Sequence, residues 1–329
     1  MSAAQREPRA QTVQSHPVIR RYQPPAGLRE ALVAAVMRVA LKVTLKPFLG
    51  PPWPFAVQRA ALAMGSALMP QDSRAQVKAD KIDQIPVERV TLKSGPAKPR
   101  HAILYLHGGA FVAGSPRTHR SITRRLAATT GAMVLVPDYR LAPEAPFPAQ
   151  IDDCVACYRQ LLREGYAPER ISIAGDSAGG NLTYMTAIAA MKAGMPGPAS
   201  LVLMSPALSL HPQAGSTISE REARDPMIRL AWGQDIERAL KVPTDHPLAD
   251  PMAQDLSRFP PSLIQVGDDE VLYDNAVWLV EAATAAGRTS ELEIYLKRWH
   301  VFQAHASLLP SSIKALDRQV EFMKRHWAK

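Results

Sequence analysis

The segment Gly175-Asp176-Ser177-Ala178-Gly179-Gly180 follows directly on the apolar run Ile171-Ser172-Ile173-Ala174. A strand that runs into Gly-x-Ser-x-Gly and then into a helical stretch is a nucleophile elbow, with Ser177 exposed on a turn too tight for a side chain on either flank. The helix that begins there aims its unpaired N–H groups at any negative charge that develops beside the serine. Five residues of pattern occur by chance in many chains, so the reading depends on partners elsewhere.

One partner lies upstream. The apolar strand Ala102–Leu106 ends in His107-Gly108-Gly109-Ala110-Phe111. Acyl transfer passes through an oxyanion that must be met by pre-aimed donors. Backbone N–H groups reach that close where side chains are absent, so Gly108 and Gly109 are candidate donors, with Ala178 from the elbow as the third. The bland alternative is a glycine-rich turn after a strand. The other partners lie downstream. A strand at Leu263–Val266 leads into Gly267-Asp268-Asp269-Glu270, and a strand at Leu292–Leu296 leads to Arg298-Trp299-His300. Serine, carboxylate and histidine thus follow in the α/β-hydrolase order, each just past a strand end. Open parallel sheets gather such loops at one edge. His300 is the candidate base, and a carboxylate is expected to hold its tautomer.

With these motifs on the page, the chain resembles the hormone-sensitive-lipase-like branch of the α/β-hydrolases, which includes bacterial esterases and arylacetamide deacetylase. The stretch Asp138-Tyr139-Arg140-Leu141-Ala142-Pro143-Glu144 is a hallmark of that branch, and the likeness spans residues 85–329. It implies an α/β fold: a mostly parallel central sheet with helices on both faces and a helical cap. It implies a serine carboxylic-ester hydrolase acting on short- to medium-chain acyl esters through an acyl-enzyme. Two departures stand out. The family's usual third glycine is Ala110, and the acid pattern Asp-Pro-Leu-x-Asp reads Glu270-Val271-Leu272-Tyr273-Asp274, which places Glu270 at the acid position with Asp269 as its rival. An amidase or deacetylase with the same triad is an alternative. So is a non-catalytic hydrolase-fold receptor, although such receptors of this branch lose the histidine that is present here.

The alternation of strands and helices organises the rest. Residues 1–25 read as a flexible, polar N-terminal arm. Residues 26–75 hold two apolar helices, 27–46 and 55–69, separated by Pro51-Pro52-Trp53-Pro54, and these are expected to be cap helices. Residues 76–206 and 258–329 form the catalytic body, with Val87–Leu92 as an edge strand. Residues 207–257, rich in charge, proline and histidine, break the alternation as a cap insertion.

Charge is unevenly spread. Residues 1–100 carry sixteen Lys and Arg against six Asp and Glu, whereas residues 101–329 carry 23 against 24. A basic solvated surface is the plain reading, and contact with an anionic membrane is the sharper one. No nucleic-acid motif accompanies the charge, so no nucleic-acid partner is expected. Arg29, Glu30, Arg38 and Lys42 interrupt the helix at 27–46, which excludes stable membrane insertion there and fits no signal peptide. A cytoplasmic location is the resulting expectation. Cys154 and Cys157 sit on one helical stretch without further ligands. They read as ordinary helical cysteines, with no metal site and no disulfide framework. No cofactor is implied, since a serine, a base and amide donors cover ester hydrolysis. The expected partner is a small-molecule ester, and the resemblance adds an expectation of homodimers built through an edge strand. His107 reads as an anchor of its loop. Asp176 should fix the elbow by hydrogen bonding, and Asp138, Arg140 and Glu144 are expected to form a buried polar network beneath the oxyanion loop. His119, His211, His246 and His305 show no partner pattern.

Overall fold

The structure is a computed structural model that describes residues 16–209 and 215–328. The sheet has nine strands in the order β1-β9-β8-β7-β6-β4-β5-β3-β2. These are β1 (Val18–Tyr22), β2 (Ala75–Ile82), β3 (Ile85–Leu92), β4 (Ala102–Leu106), β5 (Met133–Pro137), β6 (Ile171–Asp176), β7 (Ser200–Met204), β8 (Ser262–Gly267) and β9 (Ser290–Tyr295). From β1 across to β5 all neighbours are parallel, and β3 and β2 complete the sheet antiparallel. The body is therefore an α/β-hydrolase sheet, as the order of motifs implied.

The helices are α1 (Leu28–Thr44), α2 (Phe55–Ala67), α3 (Arg120–Thr130), α4 (Ala149–Arg163), α5 (Ala178–Lys192), α6 (Ile218–Arg224), α7 (Ala231–Leu240), α8 (Tyr273–Ala285) and α9 (Pro310–His326). The central strands read as continuous apolar runs because both faces are covered. In β4, Ala102, Leu104 and Leu106 pack with residues of α4, α5 and α8, while Ile103 and Tyr105 pack with residues of α3 and α9. That split is the two-residue period of a strand sandwiched between helical layers. α5 is buried almost all round, from Ala178 to Met191, which suits a helix carrying Gly, Ala and Leu and no charge before Lys192. A third cluster joins Leu45 and Leu49 to Ile218, Trp232 and Ile236 of the 207–257 insertion and to Val271 and Leu272 behind the acid loop.

Three expectations change. Residues 1–15 of the predicted arm lie outside the described residues, but Val18–Tyr22 is a strand. It pairs in parallel with β9 from Val18↔Glu291 to Tyr22↔Tyr295, and the Tyr22 and Tyr295 rings stack at 5.1 Å. Val18-Ile19-Arg20-Arg21-Tyr22 lacks a strict two-residue alternation and is too short to read against a polar background. Second, β3 is an inner strand, because residues 75–82 form a hairpin with it through Asp83 in a left-handed turn (φ 52°). The stretch counted with the cap helices thus already enters the sheet at Ala75. Third, Asp138, Arg140 and Glu144 are all exposed: Arg140 grips Asp153 of α4, and Glu144 pairs with Arg59 of α2 at 2.7 Å. The buried polar group of that motif is Tyr139, whose hydroxyl donates to the His107 carbonyl at 2.6 Å.

Candidate active site

All the candidate residues lie on loops at the C-terminal ends of parallel strands. Ser177 follows β6 with φ 55° and ψ −121°, a strained backbone for a serine. The strain is held by close packing: a Cβ on Gly179 would sit 2.0 Å from the Leu106 carbonyl, and one on Gly175 would sit 2.3 Å from the Gly179 carbonyl. No residue but glycine lets β4, β6 and α5 approach so closely. The Ser177 N–H donates to the Met204 carbonyl at 2.8 Å, which locks the elbow to the end of β7.

The next residue on β7 ties the remaining loops together. The Ser205 hydroxyl donates to Glu270 Oε2 at 2.9 Å and accepts the Val301 N–H at 3.2 Å. Glu270 Oε2 stands 3.6 Å from His300 Nδ1, and both side chains are buried. The loops are also stitched backbone to backbone, Asp268 N–H to the Tyr295 carbonyl at 3.1 Å and Asp269 N–H to the Arg298 carbonyl at 3.0 Å. This crossing requires Gly267, where a Cβ would meet the Arg298 carbonyl at 2.3 Å. Asp269, the rival acid, points elsewhere: its carboxylate accepts from Arg38 at 2.8 Å and lies 3.7 Å from Arg224.

Burial and charge pull these groups in opposite directions. Burial pushes the Glu270 carboxyl up, against the pull of His300. Burial pulls the His300 imidazole down, but Glu270, with Asp225 and Asp176 further off, leaves it raised. Asp225 is a buried carboxylate of the insertion. One of its oxygens accepts from Met227 and Ile228 N–H, and the other accepts from Val271 N–H at 3.1 Å, next to Glu270. Burial raises its pKa, against the pull of the His300 charge.

The oxyanion loop needs one correction. The Gly108 N–H already donates to Asp176 Oδ1 at 3.2 Å in a buried setting, so it is not a free donor. The N–H groups of Gly109 and Ala110 donate to no described acceptor. Ala110 turns at φ 57° and lines the cavity beside Ser177. Asp176 does fix the elbow: it also accepts the Tyr105 hydroxyl at 2.6 Å and faces His119 Nε2 at 3.2 Å. His119 is therefore a buried partner of this loop, which its sequence context did not signal. His107 is stacked on Tyr139 at 4.1 Å, and burial drops it to about 3, so it is a neutral anchor. Trp299 is fully buried against Tyr295 and Phe302 and belongs to the core. His246 accepts the Leu248 N–H, and burial lowers His305 to about 4. His211 lies outside the described residues. Cys154 and Cys157 are free and buried, and burial pushes the Cys157 thiol up to about 12. Among the described residues no cluster of His, Cys, Asp and Glu is arranged to hold a metal.

Ser177 opens on a cavity of about 880 Å³ between body and insertion. Phe111, Leu182 and Met185 line it from the body, and Trp232, Ile236 and Met252 line it from the insertion.

With this geometry the comparisons with known proteins agree. Residues 103–304 match the family described as alpha/beta hydrolase fold. An acetyl-hydrolase of Streptomyces hygroscopicus is 40% identical over 224 residues, covering 68% of this chain and 75% of its own. An esterase of Acinetobacter venetianus is 30% identical over 296 residues, covering 89% and 94%. The crystal structure of an esterase from the bacterial hormone-sensitive lipase family superposes with a TM-score of 0.82 at 34% identity, covering 92% of this chain and all of that one. The chain belongs to the α/β-hydrolase family, in its hormone-sensitive-lipase-like branch, and is a hydrolase of the carboxylesterase type.

Proposed function

We propose that the protein is a serine carboxylic-ester hydrolase that works through an acyl-enzyme. Ser177 attacks the ester carbonyl and His300 takes its proton. His300 then returns the proton to the leaving alkoxide and activates the water that releases the acid. Glu270 holds the imidazole tautomer and offsets its charge. The N–H groups of Gly109, Ala110 and Ala178 meet the oxyanion, with Ala110 in place of Gly108. The observation that carries this reading is the Ser205 bridge: one hydroxyl, one residue past the strand end that locks the elbow, binds both Glu270 and the residue after His300. Asp269 is engaged by Arg38, which favours Glu270 as the acid.

The substrate reading rests on the cavity. Its walls are mainly aliphatic and aromatic, and its volume of about 880 Å³ suits a short or medium acyl chain together with a bulky alcohol part. The name acetyl-hydrolase borne by the Streptomyces relative fits the short-chain end of that range. In this reading residues 26–75 and 207–257 are a two-part cap over the body at 76–206 and 258–329. Replacing Ser177 by Ala is expected to lower p-nitrophenyl butyrate turnover by about 10⁴-fold or more. The same change should abolish labelling by a fluorophosphonate probe. Retained turnover in a variant with an unchanged melting curve would refute the assignment.

A further inference from the structure

Helix α1 is apolar on two faces, and two of its charges point inward. Its charged side chains Glu30 and Arg38 face the body, where Glu30 pairs with the buried Arg298 and Arg38 pairs with Asp269. Val33, Met37 and Leu41 pack inward beside them, yet a second set of aliphatic side chains faces outward: Leu28 is 86% exposed, Leu32 62%, Val36 60%, Val39 62% and Val43 64%. At about 100° per residue these five fall within roughly 80° of arc, a single stripe along the whole helix. The same outer half carries Ala31, Ala35 and Ala40, and its only charges are Arg29 and Lys42, neither of which forms an ion pair with a described residue. Helix α2 repeats the design. Its one charged residue, Arg59, turns in to Glu144 and to the Val112 and Ala142 carbonyls, while Met64 and Leu68 are 72% and 79% exposed. A continuous apolar face on a helix whose acidic group and one of whose arginines anchor it inward is a surface built to be covered.

We propose that α1, together with the exposed end of α2, docks flat on an anionic lipid bilayer surface. Charge selects this occupant. The outer half of α1 carries no acidic side chain, and Arg29 and Lys42 flank the stripe, where they can reach lipid phosphates while the aliphatic side chains enter the acyl boundary. A second copy laid on the same stripe would bring the same cations together. Residues 1–15, with Arg6 and Arg9 and few apolar side chains, offer no apolar face to cover it. Spanning is a different matter: no helix among the described residues is long and apolar enough to cross a membrane. The docking holds the protein at the surface and leaves the sheet and cavity outside the lipid.

The test is co-sedimentation of the full chain with two sets of vesicles, phosphatidylcholine alone and phosphatidylcholine with 30% phosphatidylglycerol (about that fraction, to set the surface charge). Wild type is expected to pellet with the anionic vesicles and to release as salt is raised. The variant Leu32→Ser/Val36→Ser/Val39→Ser should partition at least about tenfold less, with unchanged melting and unchanged hydrolysis of a water-soluble ester. Arg29→Glu/Lys42→Glu should lose the preference for anionic over neutral vesicles. Wild type remaining in the supernatant with anionic vesicles overturns the proposal, as does equal binding by the serine variant. Light scattering that shows a dimer for wild type and a monomer for the serine variant, without vesicle binding, assigns the stripe to a second copy instead.

Discussion

At the scale of single residues, the candidate site depends on groups that no motif announces. Ser205 holds Glu270 and the Val301 N–H on one hydroxyl, so it fixes the acid and the imidazole in one frame. A hydrogen bond to a charged group contributes about 1.5–3 kcal/mol. Ser205→Ala should therefore lower kcat for p-nitrophenyl butyrate by about 10- to 100-fold with KM nearly unchanged, because the ester itself does not meet that hydroxyl; a purely raised KM would contradict this role. In the proposed mechanism the His300 imidazole sets the pH dependence. A base acts when deprotonated, and the charges of Glu270, Asp225 and Asp176 raise His300 despite its burial. kcat/KM should accordingly climb with pH through a midpoint above the ordinary imidazole value of about 6.5. Glu270→Gln should move that midpoint down and cut kcat by about 10³- to 10⁴-fold. A midpoint below the ordinary value in the wild type would contradict the pairing. Ser177, Glu270 and His300 stand out as candidates in the sequence because each follows a strand in a fixed order. Gly108 was misread because spacing cannot tell which amide of a glycine pair is already engaged, here by Asp176. Ser205, His119 and Asp225 were illegible because their partners are 65, 57 and 46 residues away in the chain.

At the scale of elements, the N-terminal helix helps to hold the catalytic loops. Glu30 and Arg298 form a buried pair two residues before His300, and Arg298 also donates to Ser311 at the start of α9. Arg38 binds Asp269, the residue before Glu270, and packs its guanidinium over Trp299. One helix thus grips both the acid loop and the histidine loop. Breaking a buried pair on one side leaves a stranded charge, at a cost of about 3–5 kcal/mol. Glu30→Ala should lower stability by that amount in a urea titration and reduce kcat as the His300 loop loosens. Glu30→Met/Arg298→Met removes both charges and should recover much of the stability, so additive losses would argue against coupling between the two. The two helices themselves were visible in the sequence as apolar runs between prolines. Which side of α1 faces the body was not, because aliphatic side chains lie on both sides of it, Val33, Met37 and Leu41 inward and Leu32, Val36 and Val39 outward, so no single apolar stripe marks the buried face.

At the scale of the whole molecule, the sheet is closed off at both ends by segments whose sequences say little. The antiparallel hairpin β2–β3 ends it on one side, and the five residues of β1 end it on the other. The central strands were readable because burial on both faces makes them uniformly apolar. The margins mix charge with β-branched residues, so 18–22 passed for part of a polar arm and 87–92 for the edge strand that β2 in fact is. β1 covers the outer edge of β9 with a parallel ladder, adds the Arg20–Glu291 ion pair, and stacks Tyr22 on Tyr295 beneath the guanidinium of Arg318. An uncovered strand edge is a template for pairing with another chain. Deletion of residues 1–23 should therefore lower the melting temperature by a few degrees and produce self-association that grows with concentration in size-exclusion light scattering. Hydrolysis at high dilution should persist, because β1 pairs with β9 at the sheet edge and makes no hydrogen bond to Ser177 or His300. An unchanged melting curve and an unchanged elution mass across concentrations would mean that β9 is protected without β1.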